Sequence, residues 1–108
     1  MPTYTNTSYV AKNVGTSPST LTTVASATTA AVASLLVSNT SASPITCDVY
    51  ITRSAVNYYI VKAATVAVGG SLEVIQGNRL VLIASDALVV VTSAASSADA
   101  IASVLLAA

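Results

Sequence analysis

The sequence predicts a single all-β domain, an antiparallel, jelly-roll-like β-sandwich with an extended N-terminal arm. Three observations favour this fold class: Val and Thr are frequent, apolar and polar residues alternate over short runs, and small turn residues separate the runs. The runs recur roughly every ten residues, a spacing typical of sandwiches and jelly rolls. With 108 residues, the chain is long enough for one core.

The clearest predicted strand runs from Ile45 to Arg53. Its apolar face consists of four alternate residues: Ile45, Cys47, Val49 and Ile51. The residues between them are mostly polar, so we expect a half-buried strand. Another strand is expected over residues 31–38, and the small polar loop 39–44 joins the two. Together they are expected to form a hairpin with a long loop.

The rest of the domain follows the same pattern. Further strands are expected over residues 72–75, 80–84, 88–93 and 101–106, after a first strand that begins at Ser19; the segment 57–61 carries two tyrosines, and 64–68 is a short apolar stretch. Gly69-Gly70 and Ser85-Asp86 supply turns between them. The strands over 80–84 and 88–93 are expected to be central and buried.

The first eighteen residues differ from the remainder. Tyr4, Tyr9 and Val10 are the only large side chains before Val14, amid Thr, Asn and Ser. We therefore divide the chain into an N-terminal arm, 1–18, and a β-sandwich domain, 19–108. The arm is expected to dock on a neighbouring subunit, because it has too few apolar side chains to form a core strand.

Charged residues are scarce. They make up 7% of the chain, against roughly 25% in soluble domains, and the formal net charge is zero. Such a surface resists association poorly, so a homo-oligomer is expected. Four scattered basic residues form neither a nucleic-acid stripe nor a polybasic membrane patch. No apolar run is long enough to span a membrane and no secretory signal is visible, so we expect folding in a cytosol.

The residue types needed for catalysis are nearly missing. There is no histidine and only one cysteine, Cys47, so neither a zinc site nor an internal disulfide is expected. Glu73, Asp86 and Asp99 lie on or beside turns, where an acid usually caps the turn or faces solvent. We therefore predict no enzyme activity, no cofactor, and no catalytic, cofactor-binding or metal-binding residues. Cys47 is expected to be buried and inert.

The candidate interface residues are large side chains that the sequence does not assign to the core. The five tyrosines are the only aromatic residues of the chain, and tyrosine is enriched at interfaces. Tyr58 and Tyr59 are adjacent, so one is expected to pack inward and the other to lie at a surface. The full candidate set is Tyr4, Tyr9, Val10, Tyr58 and Tyr59.

Several segments resemble small β-sandwich virion proteins of tailed bacteriophages. The segments are SLLVSNTSASPITCDVYI (34–51), YYIV (58–61), GGSLEV (69–74), LIASDALVV (82–90) and DAIASV (99–104). Many of those proteins have Gly before the acid that Asp86 matches, where this chain has Ser85. The resemblance is a pattern of loops and strands without a catalytic signature.

The resemblance implies a non-enzymatic virion structural protein that is assembled in the host cytoplasm. A capsid decoration or cement protein is favoured, because the chain has one sandwich and an arm without a further domain. Its partners would be the major capsid protein or another virion protein, and copies of itself, with a trimer as the first expectation. The alternatives are a neck or tail adaptor, a fibre-base protein and, since Trp is missing, with less support, a carbohydrate-binding module.

Overall fold

A computed structural model describes residues 3–75 and 80–108 as two antiparallel sheets packed together. The predicted all-β sandwich is confirmed. The strands in the described residues are β1 (Tyr4–Val14), β2 (Ser19–Thr23), β3 (Thr29–Asn39), β4 (Ile45–Arg53), β5 (Val56–Val66), β6 (Ser71–Glu73), β7 (Leu80–Leu82), β8 (Ala87–Thr92) and β9 (Ala98–Ala107). No helix capable of crossing a bilayer occurs in this part of the chain.

The first sheet has the order β1-β9-β3-β6, with β7 also paired to β3. The second sheet has the order β2-β8-β4-β5. The core between them is built from Val, Leu, Ile and Ala, and it includes the predicted row of β4: Ile45, Cys47, Val49 and Ile51. Alternation alone predicted this row, because a sheet that covers a core must turn every second side chain towards it.

The prediction that the strands around residues 31–38 and 45–53 form a hairpin is wrong. β3 lies in the first sheet and β4 in the second, so the mostly exposed loop after Asn39 connects one sheet to the other. Buried Asn39 holds this connection, because its Nδ2 donates to the carbonyl oxygens of Ser43 (2.9 Å) and Val66 (3.1 Å). Both strands have strongly apolar inner rows, and such rows are best buried by facing each other across a sandwich.

A hairpin that the sequence did not predict joins β4 to β5. Ser54 and Ala55 form its two-residue turn, with φ angles of 53° and 62°. Two positive φ angles are typical of a type I′ turn, which usually contains Asn or Gly. The segment 57–61 and the first part of the apolar stretch 64–68 belong to one strand, β5, which ends at Val66 and pairs irregularly with β4 between the two.

Of the two strands expected to be central, only the second, β8, is central. It lies between β2 and β4, and its Leu88 and Val90 are buried. The strand expected over 80–84 is shorter, since β7 ends at Leu82 and pairs with β3 in the described residues. The prediction that this strand is central and buried is therefore wrong, since its Val81 is 53% exposed.

The segment expected to be a free arm forms an edge strand in this structure. β1 pairs with β9 of the same chain from Tyr4 to Val14, and Val14 is fully buried. This strand was not predicted, because the prediction rested on the number of large apolar side chains. An edge strand needs only one row of inward side chains to cover the core, and here the row is Tyr9, Ala11 and Val14. Residues 1 and 2 lie outside the described residues. Whether 1–18 is separable from 19–108 stays a prediction.

Candidate assembly surfaces

The free edge of β1 presents a row of main-chain hydrogen-bonding groups. Thr3 and Ala108 exchange two main-chain hydrogen bonds, of 2.7 and 3.0 Å, at the end of the β1–β9 pair. Because hydrogen-bonded and non-hydrogen-bonded pairs alternate in an antiparallel ladder, every second residue of β1 directs its N–H and C=O away from β9. These residues are Tyr4, Asn6, Ser8 and Val10.

From Tyr4 to Ala11, this edge carries none of the features that usually protect an exposed strand; a lysine and a bulge follow only at its end, at Lys12 and Asn13. Over this range it has no charge and no proline, and its register with β9 is unbroken. The edge strand β5 is interrupted by irregular pairing near Lys62, and β2 is only five residues long. Long, regular and uncharged edges are templates for pairing with another chain. Among the described edges, β1 therefore presents the best site for an added strand.

Two aspartates stabilise irregular positions in the edge strands, one near the end of β1 and one within β5. Asn13 has a φ angle of 56°, and its N–H donates to Asp99 Oδ1 at 3.1 Å. In β5, Ala63 has a φ angle of 53° and donates to Asp48 Oδ1 at 2.7 Å. The preceding lysine, Lys12 or Lys62, lies 3.8 Å from the same carboxylate. Both aspartates thus hold main-chain groups that the strand ladders leave unpaired.

The remaining two acids also accept hydrogen bonds from main-chain N–H groups. Glu73 Oε2 accepts N–H bonds from Leu35 (3.0 Å) and Ile75 (3.3 Å). Asp86 caps the turn after β7, as predicted, by accepting the N–H of Ile83 at 2.9 Å. No group of three His, Cys, Asp or Glu side chains that could hold a metal occurs within the described ranges.

Asp86 is fully buried, which the sequence did not predict. Its two carboxylate oxygens accept from Arg53 Nε (2.8 Å) and Nη2 (2.6 Å), so the pair is bidentate. These hydrogen bonds hold the pKa of Asp86 below its usual value, against the opposing effect of burial. Arg53 ends β4 and Asp86 precedes β8, so the pair joins two adjacent strands of the second sheet.

The predicted interface residues lie on two separate surfaces. Tyr4 and Val10 are exposed on β1, at 66% and 71%, whereas Tyr9 of the same strand turns inward and packs against the core. Tyr58 and Tyr59 are both exposed, so the expectation that one of them packs inward is wrong. The cause is their position in the edge strand β5, where a side chain on the inner side reaches past the core.

The buried tyrosine is Tyr50, which the candidate set omitted. It lies on β4 beside Tyr59, with 5.1 Å between ring centroids and an interplanar angle of 49°. Lys62 Nζ lies 4.5 Å from the centroid of Tyr59, on the same strand. Tyr59 thus belongs to a surface cluster that covers Tyr50. The aromatic pair and the cation–π contact stabilise this cluster.

The outer face of the first sheet is apolar and was not predicted as an interface. One cross-strand row consists of Val10, Ile101 and Leu36, which are partners in the register of β1, β9 and β3. A second row contains Leu105, Ala31 and Val81, and a row of serines lies between the two: Ser8, Ser103 and Ser34. The signal in the sequence was the run 100–106 of β9, which is apolar on both faces apart from Ser103, a pattern typical of covered sheets.

The sandwich is similar to solved structures from a pilus and from a virus. A protein of Bacillus endospore appendages, described as a novel family of disulfide-linked pili, matches with a TM-score of 0.56 and 14% identity, over 98% of this chain and 88% of that chain. A chain of infectious bursal disease virus, Gx strain, matches with a TM-score of 0.53 and 14% identity, over 99% of this chain and 37% of that chain. At these identities, the likeness shows the fold alone. No protein-family model and no curated protein match the chain.

The single cysteine does not offer a surface for a covalent link between subunits. Cys47 is unpaired and 1% exposed in the core, as predicted. Burial raises the pKa of the Cys47 thiol, and the neighbouring charge of Asp48 adds to this effect. The disulfide linkage named for the Bacillus pili therefore has no counterpart on the surface of this chain.

Proposed function

We propose that the protein is a non-enzymatic structural subunit that assembles with copies of itself and with other proteins of a virion, as a capsid decoration or cement protein. The observation that carries this proposal is the edge of β1 from Tyr4 to Ala11, which is uncharged and regular and leaves the main-chain groups of every second residue unpaired by β9. A strand from a neighbouring subunit would satisfy these groups and extend the first sheet.

The use of the acidic side chains supports a non-enzymatic role. All four acids of the chain, Asp48, Glu73, Asp86 and Asp99, accept main-chain N–H groups. Three of them are also paired with a basic side chain. General acid–base catalysis requires titratable groups that converge on a substrate, whereas these acids are spread over turns and bulges of both sheets.

The composition supports assembly by uncharged contacts. Burying main-chain groups and small apolar side chains needs no ion pairs, and a subunit with no net charge pays little electrostatic repulsion on association. The trimer and the virion location expected from the tailed-phage resemblance are parts of this proposal. Copy number per particle tests the location, because hundreds of copies correspond to capsid decoration and six or twelve to a neck or tail.

A second candidate function is the subunit of a fibre. The likeness to the pilus protein favours it, because the match covers 88% of that chain, so a single sandwich of this size accounts for most of that subunit. Electron microscopy of the purified protein separates the two candidates. Filaments formed by the protein alone would support a fibre subunit, whereas discrete oligomers that bind to empty capsids would support decoration.

The edge of β1 is tested by removing one main-chain donor. Ser8→Pro deletes an N–H that points away from β9, so the β1–β9 ladder keeps its bonds while the edge loses one. Ser8→Ala is the matched control, since it removes the same hydroxyl and keeps the N–H. We expect Ser8→Pro to remain folded and to assemble at least tenfold more weakly than Ser8→Ala. Equal assembly of the two variants would contradict strand addition at this edge.

A further inference from the structure

We propose that the outer face of the first sheet packs against the same face of a second copy, around a two-fold axis that passes Ser103. This inference rests on the proposed function, because it assigns one surface through which the subunit self-associates. It concerns the face of the sheet, formed around β9, and is separate from strand addition at the edge of β1.

The pattern of side chains along this face is nearly symmetric about Ser103. β9 runs between β1 and β3, and its outward residues are Ile101, Ser103 and Leu105, with Asp99 and Ala107 at the two ends. Ser103 is flanked by Ser8 and Ser34 on the neighbouring strands, which gives a row of small polar side chains. A mainly apolar row lies on each side of it: the row of Ile101 ends at Glu73 beside Leu36, and the row of Leu105 begins with Asn6 on β1.

Such a pattern is self-complementary. A two-fold axis that lies in the plane of contact and passes Ser103 places serine row on serine row and apolar row on apolar row. Sheets packed face to face lie about 10 Å apart, a distance at which Ile and Leu side chains from both copies fill the space between them. A groove of about 440 Å³ over the serine row, lined by residues that include Ser8, Ala33 and Ser103, gives these side chains room.

The charge and the area of this face are suited to a second copy of the chain. Among the described residues, the charges near the face are Lys12 and Asp99, which pair with each other at one end, and Glu73, whose carboxylate is bound by main-chain N–H groups. From strand spacing and rise, the three long strands β1, β9 and β3 together with the short β6 and β7 cover roughly 600 Å². A standard interface buries about 800 Å² on each partner, so the face is close to the size that a stable dimer needs.

The outer face of the second sheet is less suited to a second copy. Asp48 and Lys62 lie on it 3.8 Å apart, and Tyr59 packs on Tyr50 there. The side chains on this face already cover one another, and two charges would have to lose water on contact. Of the six exposed large apolar residues of the first sheet, by contrast, three form one continuous row: Val10, Ile101 and Leu36.

The test places a charge on the proposed axis. Ser103→Arg brings two arginines together in the dimer, whereas Thr20→Arg adds the same charge to an exposed strand of the second sheet. We expect sedimentation equilibrium to show at least tenfold weaker self-association for Ser103→Arg and an unchanged constant for Thr20→Arg. Both variants should keep the melting temperature of the isolated subunit, because both positions are exposed.

A cross-linking experiment gives a second readout that does not depend on a disruptive side chain. In a Cys47→Ala background, Ser103→Cys should be joined into covalent dimers by a short bismaleimide, because residue 103 faces itself across the axis. Thr20→Cys in the same background should remain monomeric. A wild-type protein that is monomeric throughout would overturn the proposed function and this inference together. A wild-type protein that associates, with Ser103→Arg associating equally and Ser103→Cys not cross-linking, would overturn this inference alone.

Discussion

The Arg53 guanidinium binds both carboxylate oxygens of Asp86, with Nε–Oδ1 and Nη2–Oδ2 distances of 2.8 and 2.6 Å. Asp86 is 1% exposed, so this carboxylate is shielded from water while half of the Arg53 side chain remains outside. A buried charge whose partner is removed cannot recover its hydration. The pair therefore makes the junction between β4 and β8 sensitive to mutation and to acid.

Asp86→Asn should destabilise the fold at about pH 6 by about 2 kcal/mol, because an amide has one acceptor oxygen where two carboxylate oxygens bind Arg53 and the Ile83 N–H, and it leaves a buried polar group without its partners. Asp99→Asn is the control, since its pair with Lys12 is exposed and 3.8 Å long, and it should cost less than about 1 kcal/mol. Chemical denaturation of both variants measures these differences. Equal losses for the two variants would contradict the structural role of the buried pair.

The stabilisation by Asp86 should disappear in acid. Its pKa is lowered in the folded state, so its contribution is complete above the unfolded-state pKa of about 3.9 and is lost as the pH falls through the lower folded-state value. The difference in unfolding free energy between wild type and Asp86→Asn should therefore shrink between about pH 6 and about pH 2. A difference that stays constant over this range would mean that Asp86 keeps an ordinary pKa in the folded protein.

The thiol of Cys47 should resist labelling until the protein unfolds. It is buried and its pKa is raised, so both access and the thiolate fraction are low. Cys47→Ala should cost roughly 1 kcal/mol and leave assembly intact, whereas Cys47→Asp should cost several kcal/mol by placing a charge in the core. Rapid labelling of the native protein would contradict the register of β4.

Substitutions in the turn between β4 and β5 should increase the stability of the protein. Ser54 and Ala55 both have positive φ angles, which side chains with a Cβ adopt at a cost. Replacing them together by Asn and Gly should stabilise the protein by about 0.5–1.5 kcal/mol, because Asn-Gly suits a type I′ turn. Thermal unfolding checks this, with Ser71→Asn as a control for a surface change elsewhere. No gain from the double substitution would exclude a type I′ turn here.

Deleting residues 2–17 tests whether the first segment is a separable arm or part of the sandwich. β1 contributes buried Val14 to the core and covers one edge of β9. The structure therefore leads us to expect a loss of at least about 2 kcal/mol. A melting temperature close to that of the full chain would instead support the boundary near Ser19 that the sequence suggested.

Local features were predictable from the sequence where one strand carried its own signal. The alternation around Cys47 predicted the inner row of β4, and small residues predicted the turn before Asp86. The partners of the strands were not predictable, because β3 and β4 have similar apolar rows and the sequence does not state which sheet each joins. The hairpin at Ser54 was missed because Ser and Ala carry no signal for a positive φ angle.

The candidate surfaces were predicted only in part for a related reason. Tyr4 and Val10 were identified as large side chains outside the core, and both are exposed on β1. The apolar outer face around Ile101 was missed, because an apolar residue on a strand is first assigned to the core. Only the pairing of β1, β9 and β3 brings Ile101 beside Val10 and Leu36.

Sedimentation velocity of the purified protein at micromolar concentration tests the central claim, self-assembly through uncharged surfaces, most directly. The monomer has a mass of 10.8 kDa, so a dimer or larger species is readily resolved. We predict assemblies larger than the monomer, with a distribution that changes little between low and high salt, because ion pairs do not hold the proposed contacts. A single monomeric species at every concentration and salt would contradict the account.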